Sequence, residues 1–300
     1  MIISASRRTD IPAFYSRWFM NRIREGYCLV PNPFNPTQVA NVSLRPRDVD
    51  TVVFWSKNPE PLVSHLDEID ALGFVYYFLF TLNDYPAVIE PNLPSLDHRV
   101  AVFKTLSKRL GAERVIWRYD PIVISSETPY EFHRRRFDRI AGELSGHTRR
   151  VIVSLVDYYR KTDRRLAMLE STGIVFDRNA GEHPGTLELF RHMSGVASSH
   201  GMAIHSCAEP SPEFAGTGVR PGSCIDGALI KRLGAKAPSQ KDPGQRDACR
   251  CAVSKDIGVT DTCLGGCRYC YATRNHELAR RRHSQHDPRA PVLWGPAETR

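Results

Sequence analysis

Three cysteines stand in one short segment, Cys263-Leu264-Gly265-Gly266-Cys267-Arg268-Tyr269-Cys270. Three thiolates at this spacing can take three corners of a [4Fe–4S] cube, and the two glycines let the backbone turn tightly around the inorganic core. The fourth iron then has no protein thiolate, and an open position on a metal is a binding site. A structural zinc ion is the competing reading. It needs four ligands and would recruit Cys249 or Cys251 as the fourth. A loop without metal is the third.

Four more cysteines, Cys207, Cys224, Cys249 and Cys251, suit a second closed site. A second [4Fe–4S] cluster there would relay electrons or hold the C-terminal segment down. The alternative is zinc on the Cys249-Arg250-Cys251 pair, with Cys207 or Cys224 a plain buried thiol. Cys28, between Tyr27 and Leu29, reads as a small buried hydrophobe. Thr9, Asp10 and Pro12 follow Arg7 and Arg8, so no apolar export core succeeds that basic pair. A cytoplasmic location is therefore expected. Thiols stay reduced there, which favours metal or redox chemistry over disulfides.

The loop is similar to the signature of radical S-adenosylmethionine enzymes, including the aromatic residue, Tyr269, before the last cysteine. That resemblance implies S-adenosylmethionine bound through the open iron, reductive cleavage to a 5′-deoxyadenosyl radical, and a full or partial (β/α) barrel. An electron donor such as a ferredoxin or flavodoxin is implied as partner. The superfamily usually carries this motif after its first strand, whereas here it lies near the C-terminus. Ser6-Arg7-Arg8-Thr9-Asp10-Ile11-Pro12, Phe54-Trp55-Ser56-Lys57-Asn58, Arg118-Tyr119-Asp120-Pro121, Asp256-Ile257-Gly258 and Tyr269-Cys270-Tyr271-Ala272 are spread over nearly the whole chain. Through these motifs the chain resembles the uncharacterised bacterial domain-of-unknown-function family 1848. The resemblance brings no established reaction and implies an iron–sulfur site at the C-terminus.

The elements that must position these residues alternate. Strands are expected at residues 2–6, 51–56, 74–81, 115–119, 151–155, 173–176 and 202–206. Helices are expected at 12–24, 59–72, 96–110, 130–144, 164–170, 186–199 and 225–233, several ending at a glycine. Seven strand–helix units argue for a parallel sheet, and continuous apolar runs fit strands buried on both faces. Length and repetition favour a full or partial (β/α) barrel of the TIM type over residues 1–234, with the eighth strand not evident. Residues 235–300 are read as a cysteine-rich segment and basic tail packed on that barrel, with one helix at 276–282 and an irregular end.

The strand ends are polar: Ser6 to Asp10, then Ser56, Lys57 and Asn58, then Asn83 and Asp84, Arg118 and Asp120, Asp157, and His205 with Glu209. In a parallel barrel these fall on one rim, where active sites are built. Arg7, Arg8, Asp10, Lys57, Arg118 and Asp120 are the candidates for binding a polar or anionic substrate. Trp55 and Trp117 read as core. The arginine-rich run around His133, Arg134, Arg135, Arg136 and Arg139 reads as a solvated helix face, with contact to phosphates as the alternative, as does the run Arg280 to Arg282.

Hydrophobic residues make up 41% of the chain and charged residues 25%, which rules out a disordered, collagenous or coiled-coil protein. The net charge of +8 admits an anionic substrate or nucleic acid without requiring either. No stretch reaches the ~20 apolar residues of a membrane span. The expected function is a radical S-adenosylmethionine-like enzyme holding a [4Fe–4S] cluster. Its rivals are an electron-transfer iron–sulfur protein and a zinc or iron–sulfur protein that binds nucleic acid.

Overall fold

The computed structural model describes residues 1–209 and 214–296; the last residues of the tail expected to be irregular, 297–300, lie outside these. The strands are β1 (Ile2–Ala5), β2 (Tyr27–Pro31), β3 (Val39–Ser43), β4 (Thr51–Ser56), β5 (Tyr76–Thr81), β6 (Val115–Ile122), β7 (Arg150–Leu155), β8 (Ala203–Cys207), β9 (Arg220–Gly222) and β10 (Lys255–Asp256). Eight form one sheet in the order β10-β1-β4-β5-β6-β7-β8-β9. Every neighbouring pair in it is parallel. The order follows the chain from β4 to β9, and β10 returns to the free side of β1. The remaining two strands pair antiparallel, with Cys28 opposite Val42.

The helices are α1 (Ile11–Phe14), α2 (Ser16–Glu25), α3 (Glu60–Val63), α4 (Leu66–Ala71), α5 (Leu96–Leu110), α6 (Tyr130–Glu143), α7 (Arg160–Glu170), α8 (Pro184–Ser199), α9 (Gly227–Arg232) and α10 (His276–Ser284). None of them is long and apolar enough to cross a membrane. Strand alternation divides the sheet into two faces. Phe54, Tyr76, Phe78, Phe80, Trp117 and Val153 pack on one side with residues of α2, α4, α5, α6 and α8. Ile2, Val53, Trp55, Tyr77, Leu79, Ile116 and Ile152 form a smaller core on the other side with α9, Cys224, Cys249 and Cys251.

Three expectations are corrected. The helix expected over 59–72 is two, α3 and α4, with Ser64 and His65 between them. The helix expected over 12–24 is two: the Asp10 carboxylate accepts from the Ala13 amide to start α1, and Tyr15 leaves helical geometry before α2 begins. Residues 173–176 are not a strand. Gly173 turns at φ +94°, and the segment makes only a single antiparallel bridge, Phe176 to Ser125, beyond the end of β6. The β2–β3 hairpin and the short edge strands β9 and β10 carry no pattern long enough to be read. β10 comes from the segment after residue 235, so that segment is woven into the sheet.

Candidate functional site at the strand ends

The first turn after β1 is organised by Asp256. Its carboxylate accepts from the Ser4 hydroxyl (2.8 Å), the Ser6 hydroxyl (2.6 Å), the Arg7 amide (2.8 Å) and the Gly258 amide (3.0 Å). The N-terminal strand and the approach to the cysteine loop are thus fastened by one side chain. Gly258 has to be glycine, because a Cβ there would meet the Ser6 hydroxyl at 2.0 Å.

Asp10 joins the next strand end to this turn by accepting from the Lys57 amide at 2.7 Å. Burial pushes its carboxyl up to about 6, against the hydrogen bonds from Lys57, Ser56 and Ala13. The Lys57 ammonium donates to Glu90 at 2.8 Å, and Glu90 also accepts from the Tyr269 hydroxyl. Tyr269 lies inside the cysteine loop, so the loop is tied to the ends of β1 and β4. Asn92 donates to the Leu264 carbonyl (2.9 Å), and Tyr15 to that of Thr262 (2.8 Å).

Within the loop, Gly265 turns its bare Cα toward the sulfurs: a Cβ there would sit 3.7 Å from the sulfurs of both Cys263 and Cys267. Gly266 adopts φ +73°, and a Cβ would strike Asn92 at 2.7 Å. Cys270 is close enough to raise both of the other thiols electrostatically. Burial is the larger cause, pushing Cys263 up to about 12 and Cys267 well above the ordinary thiol range, while Lys57 favours the Cys267 thiolate. Three soft donors around a glycine cradle fit an iron–sulfur core. Among the described residues, however, no group of three or more His, Cys, Asp or Glu side chains already stands in coordinating geometry for a metal ion.

The centre of the rim is Trp55, 8% exposed. The guanidinium of Arg7 lies 5.3 Å from its ring centroid and that of Arg118 4.9 Å. Arg118 pairs with Asp120, which also accepts from Ser154. Arg8 donates to the Gly258 carbonyl at 3.3 Å. The six candidates Arg7, Arg8, Asp10, Lys57, Arg118 and Asp120 therefore share one end of the sheet with the cysteine loop. Several buried polar atoms there have no hydrogen-bond partner among the described residues: Arg7 Nη2, Thr9 Oγ1, Trp55 Nε1, Asn58 Oδ1, Glu90 Oε2 and Arg118 Nε. Buried polar atoms are rarely left unsatisfied, so such a group marks a place where a ligand or water belongs.

Cys207, Cys224, Cys249 and Cys251 gather on the other side of Arg7 and Arg118. The Cys224 and Cys207 sulfurs are 3.3 Å apart. Cys251 accepts from the Ile225 amide at 3.4 Å. Cys28 is apart from both sets, fully buried, with its thiol pushed up to about 12 by burial.

Other expected groups turn out to be structural. His133 is fully buried rather than on a solvated face. Arg134, Arg135, Arg136 and Arg139 pair with Glu188, Glu131, Asp84 and Asp97. Asp157 pairs with Arg246, and Asn83 exchanges hydrogen bonds with the Asp120 backbone. His205 has an unpartnered buried Nδ1 and lies near Arg150 and Arg220. Two surface hollows, of about 320 and 380 Å³, are lined by residues 285–295 and by α9 with residues 238–252, away from the rim.

Sequence reading missed Glu90, and it missed the roles of three residues it had quoted: Tyr269 as the partner of Glu90, Trp55 as a platform and Asp256 as the organiser. Glu90 sits in a loop well past its strand, where no spacing rule points. With this geometry in place the lineage is plain: the chain belongs to the family described as a domain of unknown function (DUF1848), whose model matches residues 2–272, β1 and the cysteine loop included. No curated protein matches it.

Proposed function

We propose that this family member is an iron–sulfur enzyme of the radical S-adenosylmethionine type, with Cys263, Cys267 and Cys270 as ligands of a [4Fe–4S] cluster at the mouth of a (β/α) barrel. The observation that carries the reading is the meeting of two features at one end of the sheet. A three-thiol loop with a glycine cradle stands beside a set of buried donors and acceptors without partners. When bound, the cluster would supply one-electron reduction of the sulfonium of S-adenosylmethionine.

The barrel reading rests on the sheet order and on contacts between its edges. Residues of α2, α4, α5, α6 and α8 line one face, and the other face carries a smaller apolar core with α9. Ile225, just past β9, accepts from the Ala252 amide, just before β10, at 3.0 Å. The missing ladder between β9 and β10 would then be the barrel's only break among the described residues.

The roles assigned to the chain's own residues follow from their contacts. Arg7 and Arg118 flank Trp55 and offer Nη2 and Nε to an anionic or carbonyl group. The Glu90 Oε2 and Asn58 Oδ1 atoms offer acceptors to an amine or hydroxyl. Lys57 holds Glu90 in place and sits beside the Cys267 sulfur. Three of the four rim cations have carboxylate partners, Asp242 for Arg7, Glu90 for Lys57 and Asp120 for Arg118, while Arg8 donates to a backbone carbonyl. That suits a polar ligand carrying both signs better than a polyanion, and the paired arginines of α6 argue against a nucleic-acid surface there.

The test is an anaerobic reconstitution with iron and sulfide, followed by electron paramagnetic resonance of the reduced protein with and without S-adenosylmethionine. A cluster signal that shifts on addition, and that disappears in a Cys263→Ala/Cys267→Ala/Cys270→Ala variant, is the expected result. A cluster indifferent to S-adenosylmethionine would replace the enzyme reading by electron transfer. No cluster at all would remove both.

A further inference from the structure

We propose that Cys207, Cys224, Cys249 and Cys251 bind one zinc ion as a tetrathiolate that fastens the two free edges of the parallel sheet to each other. The site stands independently of the iron–sulfur reading, since it shares no ligand with the Cys263 loop.

The four cysteines come together in one place. Cys224 touches Cys207 at 3.3 Å, Cys251 accepts from the amide of the next residue, Ile225, at 3.4 Å, and Cys224, Cys249 and Cys251 share one buried cluster against which Cys207 packs. A tetrahedron of sulfurs around zinc at ~2.3 Å has edges of about 3.8 Å. The Cys207–Cys224 pair is slightly tighter than that edge, and the four side chains would have to rearrange to complete the tetrahedron. A cube with one thiolate per iron holds its cysteine sulfurs about 6 Å apart, which would require three chain segments to separate. Tetrahedral all-sulfur sites select zinc or iron–sulfur clusters, and the Cys207–Cys224 contact is far nearer the spacing of a single ion.

Two cations stand near the sulfurs, each of them also paired with a carboxylate. Four thiolates and one divalent cation carry two net negative charges. Arg118 faces Cys207 and Cys224, and Arg7 faces Cys224 and Cys251. The Ile225 amide aimed at Cys251 is a further donor to thiolate sulfur. Cys224, Cys249 and Cys251 are all buried.

The place in the fold supplies the role. β9 and β10 are the edges of the sheet and share no ladder. Cys207 ends β8, Cys224 lies two residues past β9, and Cys249 and Cys251 precede β10. Among the described residues, two hydrogen bonds join the segments just past β9 and just before β10, Ile225 amide to Cys251 sulfur and Ala252 amide to Ile225 carbonyl, beside their apolar packing. A metal holding all four positions would join the ends that hydrogen bonding leaves open. Ala208 sits in the left-handed region at φ +58°, where the chain turns sharply after Cys207.

The experiment uses the full chain, purified anaerobically from zinc-supplemented cells. Metal content is measured for wild type, for the Cys263→Ala/Cys267→Ala/Cys270→Ala variant, and for Cys249→Ser/Cys251→Ser. About one zinc per chain is expected in the first two, and at least a 100-fold loss of zinc affinity in the third. Cobalt exchanged into the triple variant should give the ligand-field and sulfur charge-transfer bands of a tetrahedral four-sulfur site. That readout decides the matter even if the double variant fails to fold. Zinc that disappears with the triple substitution, iron and sulfide bound at the other four cysteines, or a metal-free Cys207–Cys224 disulfide would each overturn the proposal.

Discussion

His133 is held neutral by its two partners. The Val123 carbonyl can only accept, so Nε2 carries the proton and donates to it at 3.0 Å, which leaves Nδ1 to accept from the Tyr119 hydroxyl at 2.9 Å. Burial lowers the imidazole to about 4. The unfolded chain, with an ordinary histidine near ~6.5, binds the extra proton first as pH falls. Stability therefore rises with pH between about 4 and 6.5, is fully present above that window and is lost below it. Going from pH 8 to pH 5, this one residue should cost about 2 kcal/mol. Urea midpoints at the two pH values check this. Wild type should lose that much more than His133→Gln, and equal losses would mean that His133 titrates freely. The residue's burial was legible in the helical period, since His133, Phe137 and Ile140 share a face of α6 and all are buried. The surrounding arginines hid it.

At the scale of elements, β10 is two residues long and pairs with β1 at only two positions. A strand so short contributes little by its ladder, so what seats it is the Asp256 carboxylate with its four donors. Hydrogen bonds to a buried charged group contribute more than neutral ones, so Asp256→Ala should cost about 3 kcal/mol or more. It should also open the segment around residues 240–258 to limited proteolysis while β4 to β7 stay resistant. Unchanged cleavage would show that β10 is seated by something else. This also explains which elements the sequence reveals. β4 and α5 match their expected bounds because β4 is an unbroken apolar run and α5 begins at a Ser95 cap and ends at Gly111. β9 and β10 have no hydrophobic period, because at this length they exist through tertiary contacts alone. The rim divides the same way. Arg7 and Lys57 follow strands and Arg118 lies within β6, and all three were legible there, whereas Glu90 and Tyr269 meet only when two loops fold over the sheet.

For the whole molecule, these unequal supports imply unequal local stability. β4, β5, β6 and β7 each have a parallel neighbour on both sides and are buried on both faces. β9 and β10 have one neighbour each and are held by a few side chains. Regions with few buried apolar contacts open at lower free energy than the core. Amide hydrogen exchange should therefore be slowest in β4 to β7, limited there by global unfolding, and faster by sub-global opening in β9, β10 and the residues that link Cys224 to Cys251. If a tetrathiolate zinc joins those edges, a chelator should speed exchange at β9 and residues 240–256 and leave Phe78, Leu79 and Trp117 unchanged. Binding to the folded state alone is stabilising by mass action, and here its effect is confined to the part of the fold that opens first. Equal acceleration everywhere would mean that the edges and the core unfold as one unit, and that the break between β9 and β10 is not a weak point of the sheet.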